Sequence, residues 1–186
     1  MRPNLRTVLL LAALPLSSST AFAASPPEDA FELSVLAAPG GSYSDYEGFE
    51  LDTGFGLAAG WRFAPRWGAE VRALRQDGRI AEAETYQVGV RFSAEGGPGD
   101  WRPFAVGGLH LQRSDLRHEV VCVQAPCPPL HETHDDLGAF VGGGVDWIVS
   151  RPLIVRLEGR LAGYDSDRRS QSETTSHFTA GVVWRF

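Results

Sequence analysis

The sequence predicts an all-β fold, an eight-stranded antiparallel up-and-down transmembrane β-barrel. Three observations carry that expectation. Eight segments alternate apolar residues with polar or small ones, the connections between them alternate short and long, and all five Trp sit at the short-connection end of their segments. Successive side chains on a strand point to opposite faces, so a period of two records a strand lying between two different surroundings. A tilted strand needs roughly 9–11 residues to cross a bilayer, and most of the segments reach that length.

The first segment, 31–38, sets Phe31, Leu33, Val35 and Ala37 on one face. The second, 51–63, does the same with Leu51, Thr53, Phe55, Leu57, Ala59, Trp61 and Phe63, and the third, 67–74, with Trp67, Ala69, Val71 and Ala73. Tyr86, Val88, Val90 and Phe92 mark the fourth, 85–92. The fifth, 101–111, carries Trp101, Pro103, Ala105, Gly107, Leu109 and Leu111, and the sixth, 137–147, Leu137, Ala139, Val141, Gly143, Val145 and Trp147. Leu153, Val155, Leu157, Gly159, Leu161 and Gly163 define the seventh, 153–163. The eighth, 177–186, has Phe178, Ala180, Val182, Trp184 and Phe186 on one face, with Thr179, Gly181 and Arg185 on the other, and Val183 as the exception. A terminal strand this amphipathic fits a closed barrel, whose last strand pairs with its first and leaves no edge.

Residues 64–66, 93–100 and 148–152 make short turns, whereas 39–50, 75–84, 112–136 and 164–176 are expected as long loops on the opposite side. Trp61, Trp67, Trp101 and Trp147, together with Trp184, form an expected aromatic girdle at the short-turn end; Tyr43, Tyr46, Tyr86 and Tyr164 lie toward the other. Amphipathic rings favour the water–lipid interface, and a soluble barrel has no reason to gather its Trp at one rim. Residues 1–23 read as a secretory signal: Arg2 and Arg6, the short apolar run 8–16, and the small-x-small site Ala21-Phe22-Ala23. Residues 24–29 are then a linker and 30–186 the barrel.

All 17 basic residues are Arg; two lie in the leader, which leaves 15 against 23 acidic residues, a net charge of −8. An acidic chain argues against nucleic acid as a partner. The mean hydropathy of −0.14 looks soluble, yet alternating strands with polar loops average to the same value.

Opposite the apolar faces lie Asp52, Arg62, Glu70, Arg72, Gln87, Arg91, His110, Asp146, Arg156, Glu158, Arg160, His177 and Arg185, interleaved with Gly. An eight-stranded barrel has an interior just wide enough for side chains to fill, and charges there must pair. The expected lumen network is Glu70, Arg72, Arg91, Asp146, Arg156, Glu158 and Arg160, with the Arg156-x-Glu158-x-Arg160 ladder on one wall. It serves either as a polar plug or as a narrow gated path for water or ions.

The connection 112–136 holds Cys122 and Cys127 among Pro126, Pro128 and Pro129, with His118, His131 and His134 nearby. In an exported protein a Cys122–Cys127 disulfide is expected. Cys122, Cys127, His131 and His134 could alternatively supply four zinc ligands, although a Cys-x4-Cys spacing sits at the edge of the usual range.

The signal, the eight alternating segments and the terminal Val182-Val183-Trp184-Arg185-Phe186 resemble the small eight-stranded outer-membrane barrels of the OmpA/OmpX-like superfamily. The resemblance covers 30–186 and implies location in the cell outer membrane, with both termini periplasmic. It also implies contact with outer-membrane lipid and lipopolysaccharide, and that Phe178, Ala180, Val182, Trp184 and Phe186 guide insertion by the barrel-assembly machinery. It specifies no function, since such barrels act as anchors, adhesins or lipid-modifying enzymes. A lipid A deacylase-like site would place a His two residues before a Ser-Asn pair; His110 with Ser114, and His177 with Thr179, do not match, and Ser114 with His118 is a loop pairing of unreadable geometry. The expectation is a structural or surface-interaction role with no cofactor, no metal and no catalytic residue, and with an extracellular ligand left open.

Overall fold

A computed structural model describes residues 30–38, 42–44, 48–50, 53–77, 81–118, 130–166 and 171–186. The described chain is all strand and turn. β1 (Phe31–Ala38) leads to two short pieces, β2 (Ser42–Ser44) and β3 (Gly48–Glu50), and then to β4 (Thr53–Arg62), β5 (Trp67–Asp77), β6 (Ala81–Ser93), β7 (Trp101–His118), β8 (Leu130–Ile148), β9 (Leu153–Ser166) and β10 (Gln171–Arg185). Eight of these pair antiparallel with their neighbours in the order β1-β4-β5-β6-β7-β8-β9-β10, and β10 returns to β1. The ring is therefore closed, and β2 with β3 forms a small hairpin hung on β10 at Ser44↔Thr175 and Tyr43↔Ser176. Closure matters because an open edge would leave unpaired backbone groups that hydrocarbon cannot satisfy.

Burial alternates along the strands, most regularly in β1, where Phe31, Leu33, Val35 and Ala37 point out and Glu32, Ser34, Leu36 and Ala38 point in. The outer face is the apolar one: Phe55, Leu57, Val71, Val88, Leu109, Leu137, Val141, Leu157, Leu161 and Val182 are exposed on it, while Glu70, Arg72, Asp146, Arg156, Glu158 and Arg160 are buried. Water cannot be the solvent of such an outer face over this many strands, whereas lipid can.

The strands toward the long-loop end run further than the alternation indicates. The expected loop 112–136 is strand over 112–118 and again over 130–136, and 39–50, 75–84 and 164–176 likewise contain paired strand. Beyond the apolar zone both faces of the wall are polar, so a side-chain period of two disappears while the backbone ladder continues. Cys122, Cys127, Asp52, the expected signal at 1–23 and the expected linker at 24–29 lie outside the described residues.

Candidate functional site in the barrel interior

Two carboxylates organise the short-turn end of the interior. Glu32 faces five guanidinium groups: it accepts from Arg91, and Arg185, Arg156, Arg62 and Arg102 lie 3.2, 3.4, 3.7 and 4.0 Å away. Asp146 accepts a two-pronged contact from Arg156, Nε at 2.7 Å and Nη2 at 3.1 Å, and a third hydrogen bond from Arg102 Nη2 at 2.7 Å. Cross-strand register makes this layer, since Glu32 sits opposite Arg185, and Arg102 opposite Asp146, which sits opposite Arg156.

One layer further in, Glu70 pairs with Arg160, with Arg156 at 3.4 Å and with Arg91 at 3.5 Å. Glu158 pairs with Arg160 and with Arg72 at 3.2 Å, and Arg72 Nη2 donates to Thr179 Oγ1 at 2.7 Å. The planar Arg fork suits such shared carboxylates. The structure thus brings together Glu70, Arg72, Arg91, Asp146, Arg156, Glu158 and Arg160. Glu32 and Arg102 belong to the same network without having been singled out from the sequence, although both occupy the polar phase of their segments.

Two aromatic rings share the interior, and these the sequence reading did not place. Phe104 carries Arg156 at 5.0 Å and Arg91 at 5.7 Å over its ring, and Phe140 carries Arg160 at 4.8 Å. Each ring lies across a glycine: a Cβ on Gly144 would stand 2.8 Å from Phe104 Cζ, and one on Gly89 would stand 2.9 Å from Phe140 Cζ. Gly144, paired with Phe104 on the next strand, and Gly89, reached by Phe140 across Gly108, make the room into which these rings fold, and the rings in turn present faces that attract the guanidinium cations.

Toward the long-loop end the layer becomes neutral and directional. Arg160 Nη1 donates to Gln87 Oε1 at 2.6 Å, and Gln87 Nε2 donates to His110 Nδ1 at 3.0 Å. That assigns the His110 proton to Nε2, which faces Gln112 Oε1 at 3.4 Å, and Gln112 Nε2 donates to Ser114 Oγ at 3.2 Å. The His110 ring stacks on Tyr164 at 5.9 Å and lies 6.1 Å from His177, whose two ring nitrogens are buried without a hydrogen-bond partner. Asp146, His110 and Arg156 are 0%, 0% and 2% exposed, so the centre of the lumen is filled with side chains rather than open bore.

The outer surface carries the remaining sequence-marked residues. Trp61, Trp67, Trp101, Trp147 and Trp184 are all exposed at the short-turn end, with Trp101 stacked on Trp147 at 5.8 Å and Trp67 edge-on to Phe92 at 5.0 Å. Phe178, Val182, Trp184 and Phe186 point outward from the last strand and its end, and Ala180 is half-buried. His131 and His134 lie on β8, with His134 opposite Ser114 in register.

Residues 9–186 match the outer membrane protein beta-barrel domain family. The chain belongs to that family. It is an outer-membrane β-barrel. No curated protein matches it in sequence. Among solved structures it is similar to Neisserial surface protein A, at 14% identity and a TM-score of 0.67, covering 84% of this chain and 97% of that one. It is also similar to the N-terminal β-barrel domain of Pseudomonas aeruginosa OprF, at 9% identity and a TM-score of 0.57, covering 85% and 98%. The attachment invasion locus protein Ail of Yersinia pestis follows at 11% identity and a TM-score of 0.55, covering 84% and 97%. At these identities the likeness is one of fold.

Proposed function

We propose that this barrel is a non-catalytic, non-conducting outer-membrane protein whose role is structural or surface-interacting. In it the ion-paired interior is a permanent plug and the long-loop end presents the chain to the outside. The observation that carries this reading is the filled lumen, in which Glu32, Glu70, Asp146 and Glu158 each hold at least two arginines in the path a solute would need. A solute would have to break several charge-assisted contacts to pass.

β7 and β8 continue beyond the apolar zone as far as His118 and Leu130, so polar wall stands above the lipid face, as a surface-interaction role requires. The solved relative Ail is named as an attachment invasion protein, and an adhesive role of that general kind suits this chain. Lipid and lipopolysaccharide would contact the outward wall, where Arg75 with Asp77, and Arg113 with Asp135, stand exposed above the apolar zone. Ser114, the hydroxyl considered for catalysis, accepts from Gln112, and His110 is engaged by Gln87, which favours a structural use of both. A leader at 1–23, a Cys122–Cys127 disulfide and recognition of the last strand by the assembly machinery complete the proposal.

The deciding experiment combines gel mobility of the refolded chain, unheated against boiled, with planar-bilayer recording of the wild type and Glu158→Ala. A heat-dependent mobility shift with electrical silence in both proteins is expected. Steady wild-type conductance that changes in Glu158→Ala would replace the plug with a gated pore.

A further inference from the structure

We infer that the short-turn end of the lumen is a binding site for one small inorganic anion, held between Arg102 and Arg185. The charge inventory points there first. Six arginines, Arg72, Arg91, Arg102, Arg156, Arg160 and Arg185, are buried in the two charged layers with only four carboxylates, Glu32, Glu70, Asp146 and Glu158. Arginine does not lose its proton in a protein, so the surplus cannot be neutralised by titration, and an unmatched buried charge is strongly disfavoured.

The contact geometry then locates the surplus. Glu158 and Glu70 are taken up by Arg72, Arg160, Arg156 and Arg91. Arg102, Arg62 and Arg185 all converge on a single oxygen, Glu32 Oε1, at 4.0, 3.7 and 3.2 Å, and of the three Arg102 and Arg185 are the buried ones. Glu32 is shared in turn with Arg91 and Arg156 through its other oxygen. Asp146, the other carboxylate facing this end, is filled by Arg156 and Arg102.

An independent observation agrees. Arg102 Nε and Arg185 Nη2 are buried donors without a hydrogen-bond partner, in side chains only 4% and 8% exposed; Arg72 Nε and Arg91 Nη1 share that state, but deeper in the lumen and beside Glu158 and Glu70. Two cationic groups with unused N–H bonds, gathered around one oversubscribed oxygen, are a donor set for an anion and not for a cation. Arg102 and Arg185 stand at the short-turn end of β7 and β10, so an ion would enter from that side. Arginine donors serve a halide and a single tetrahedral oxyanion alike. This site goes beyond the structural role proposed above and does not depend on it.

A ligand that binds only the folded state raises the unfolding midpoint with its concentration. The test follows the thermal midpoint of the refolded barrel in detergent while chloride or bromide, and separately phosphate or sulfate, replaces gluconate at constant ionic strength. The wild type should gain several degrees in a saturable manner, and the series that saturates at lower concentration separates a halide from an oxyanion. Arg185→Gln should lose this response and, in gluconate alone, unfold at or above the wild-type temperature, because it removes one of five guanidinium groups that crowd the single carboxylate of Glu32. Arg102→Gln, which spares the terminal strand, should also lose the response. Anomalous density for bromide between Arg102 and Arg185 in wild-type crystals reads the site directly should either variant fail to refold. A wild-type midpoint indifferent to all four anions would overturn the proposal, as would an equal response in wild type and both variants, or bromide-soaked crystals without density there.

Discussion

Glu32 lies within 4.0 Å of five guanidinium groups, so its loss would strand more charge than the loss of any other single carboxylate in the interior. Removing one partner of a buried ion pair costs about 3–5 kcal/mol. Glu32→Gln should therefore destabilise the barrel by at least that order in urea unfolding from lipid vesicles; a change below about 1 kcal/mol would mean that the arginines find other partners. Glycine gives a second residue-scale prediction. A Cβ at Gly144 would meet Leu157 O at 2.1 Å and Phe104 Cζ at 2.8 Å, whereas at Gly107 its nearest neighbour is Phe140 O at 3.4 Å. Gly144→Ala should cost about 1–3 kcal/mol through overpacking, and Gly107→Ala no more than about 0.5 kcal/mol. Equal effects would show that the Phe–Gly packing does not set the interior.

At the scale of the strand, depth in the membrane becomes the controlling variable. Leu157 is outward-facing near the middle of the apolar stretch 153–163 of β9, opposite Val145 and Ala180, while Trp147 is outward-facing at the short-turn end of β8. Charge on the lipid face of a barrel costs about 2–4 kcal/mol at the midplane and about 0–1 kcal/mol near the interfaces. Leu157→Arg should accordingly be the more damaging of the pair in vesicle unfolding, with Trp147→Arg losing chiefly its ring stacking. The reverse order would displace the apolar zone from where the aromatic rim puts it. The same depth dependence explains which parts of the fold could be read from sequence. Between the Trp rim and the upper limit of the apolar zone lipid and lumen differ sharply, so 67–74 or 153–163 announces itself by alternation. Above them, Gln112 to His118 and Leu130 to Asp136 have polar surroundings on both faces, and their pairing leaves no periodic trace. In the interior, Arg156, Glu158 and Arg160 stand out as an uninterrupted ladder. Glu32 and Arg102 are isolated charges in short polar phases, and their partners become visible only once distant strands are in register. Phe104 and Phe140 were hidden for the opposite reason: an apolar residue in the polar phase reads as noise until the glycine across from it supplies the space.

For the molecule as a whole, closure removes any privileged starting point. β1 and β10 are joined by a ladder from Glu32↔Arg185 to Ala37↔Ala180, and Phe186 N donates to Phe31 O at 3.0 Å, so the two ends of the barrel wall already touch. The sheet gains nothing from where the covalent break falls, provided that the ladder closes. A circular permutant that joins 186 to 30 through a short flexible linker and opens between Ser150 and Arg151, in the exposed turn between β8 and β9, should refold in detergent with the wild-type heat-dependent mobility shift. In cells the outcome should differ, because Phe178, Ala180, Val182, Trp184 and Phe186 would no longer form the end of the chain. If their terminal placement is what the assembly machinery reads, the permutant should be exported yet fail to appear in the outer-membrane fraction. Efficient insertion in cells would remove the terminal strand from that role while leaving the barrel intact. Failure to refold even in detergent would mean that the β1–β10 seam depends on free chain ends, and that closure alone does not determine this fold.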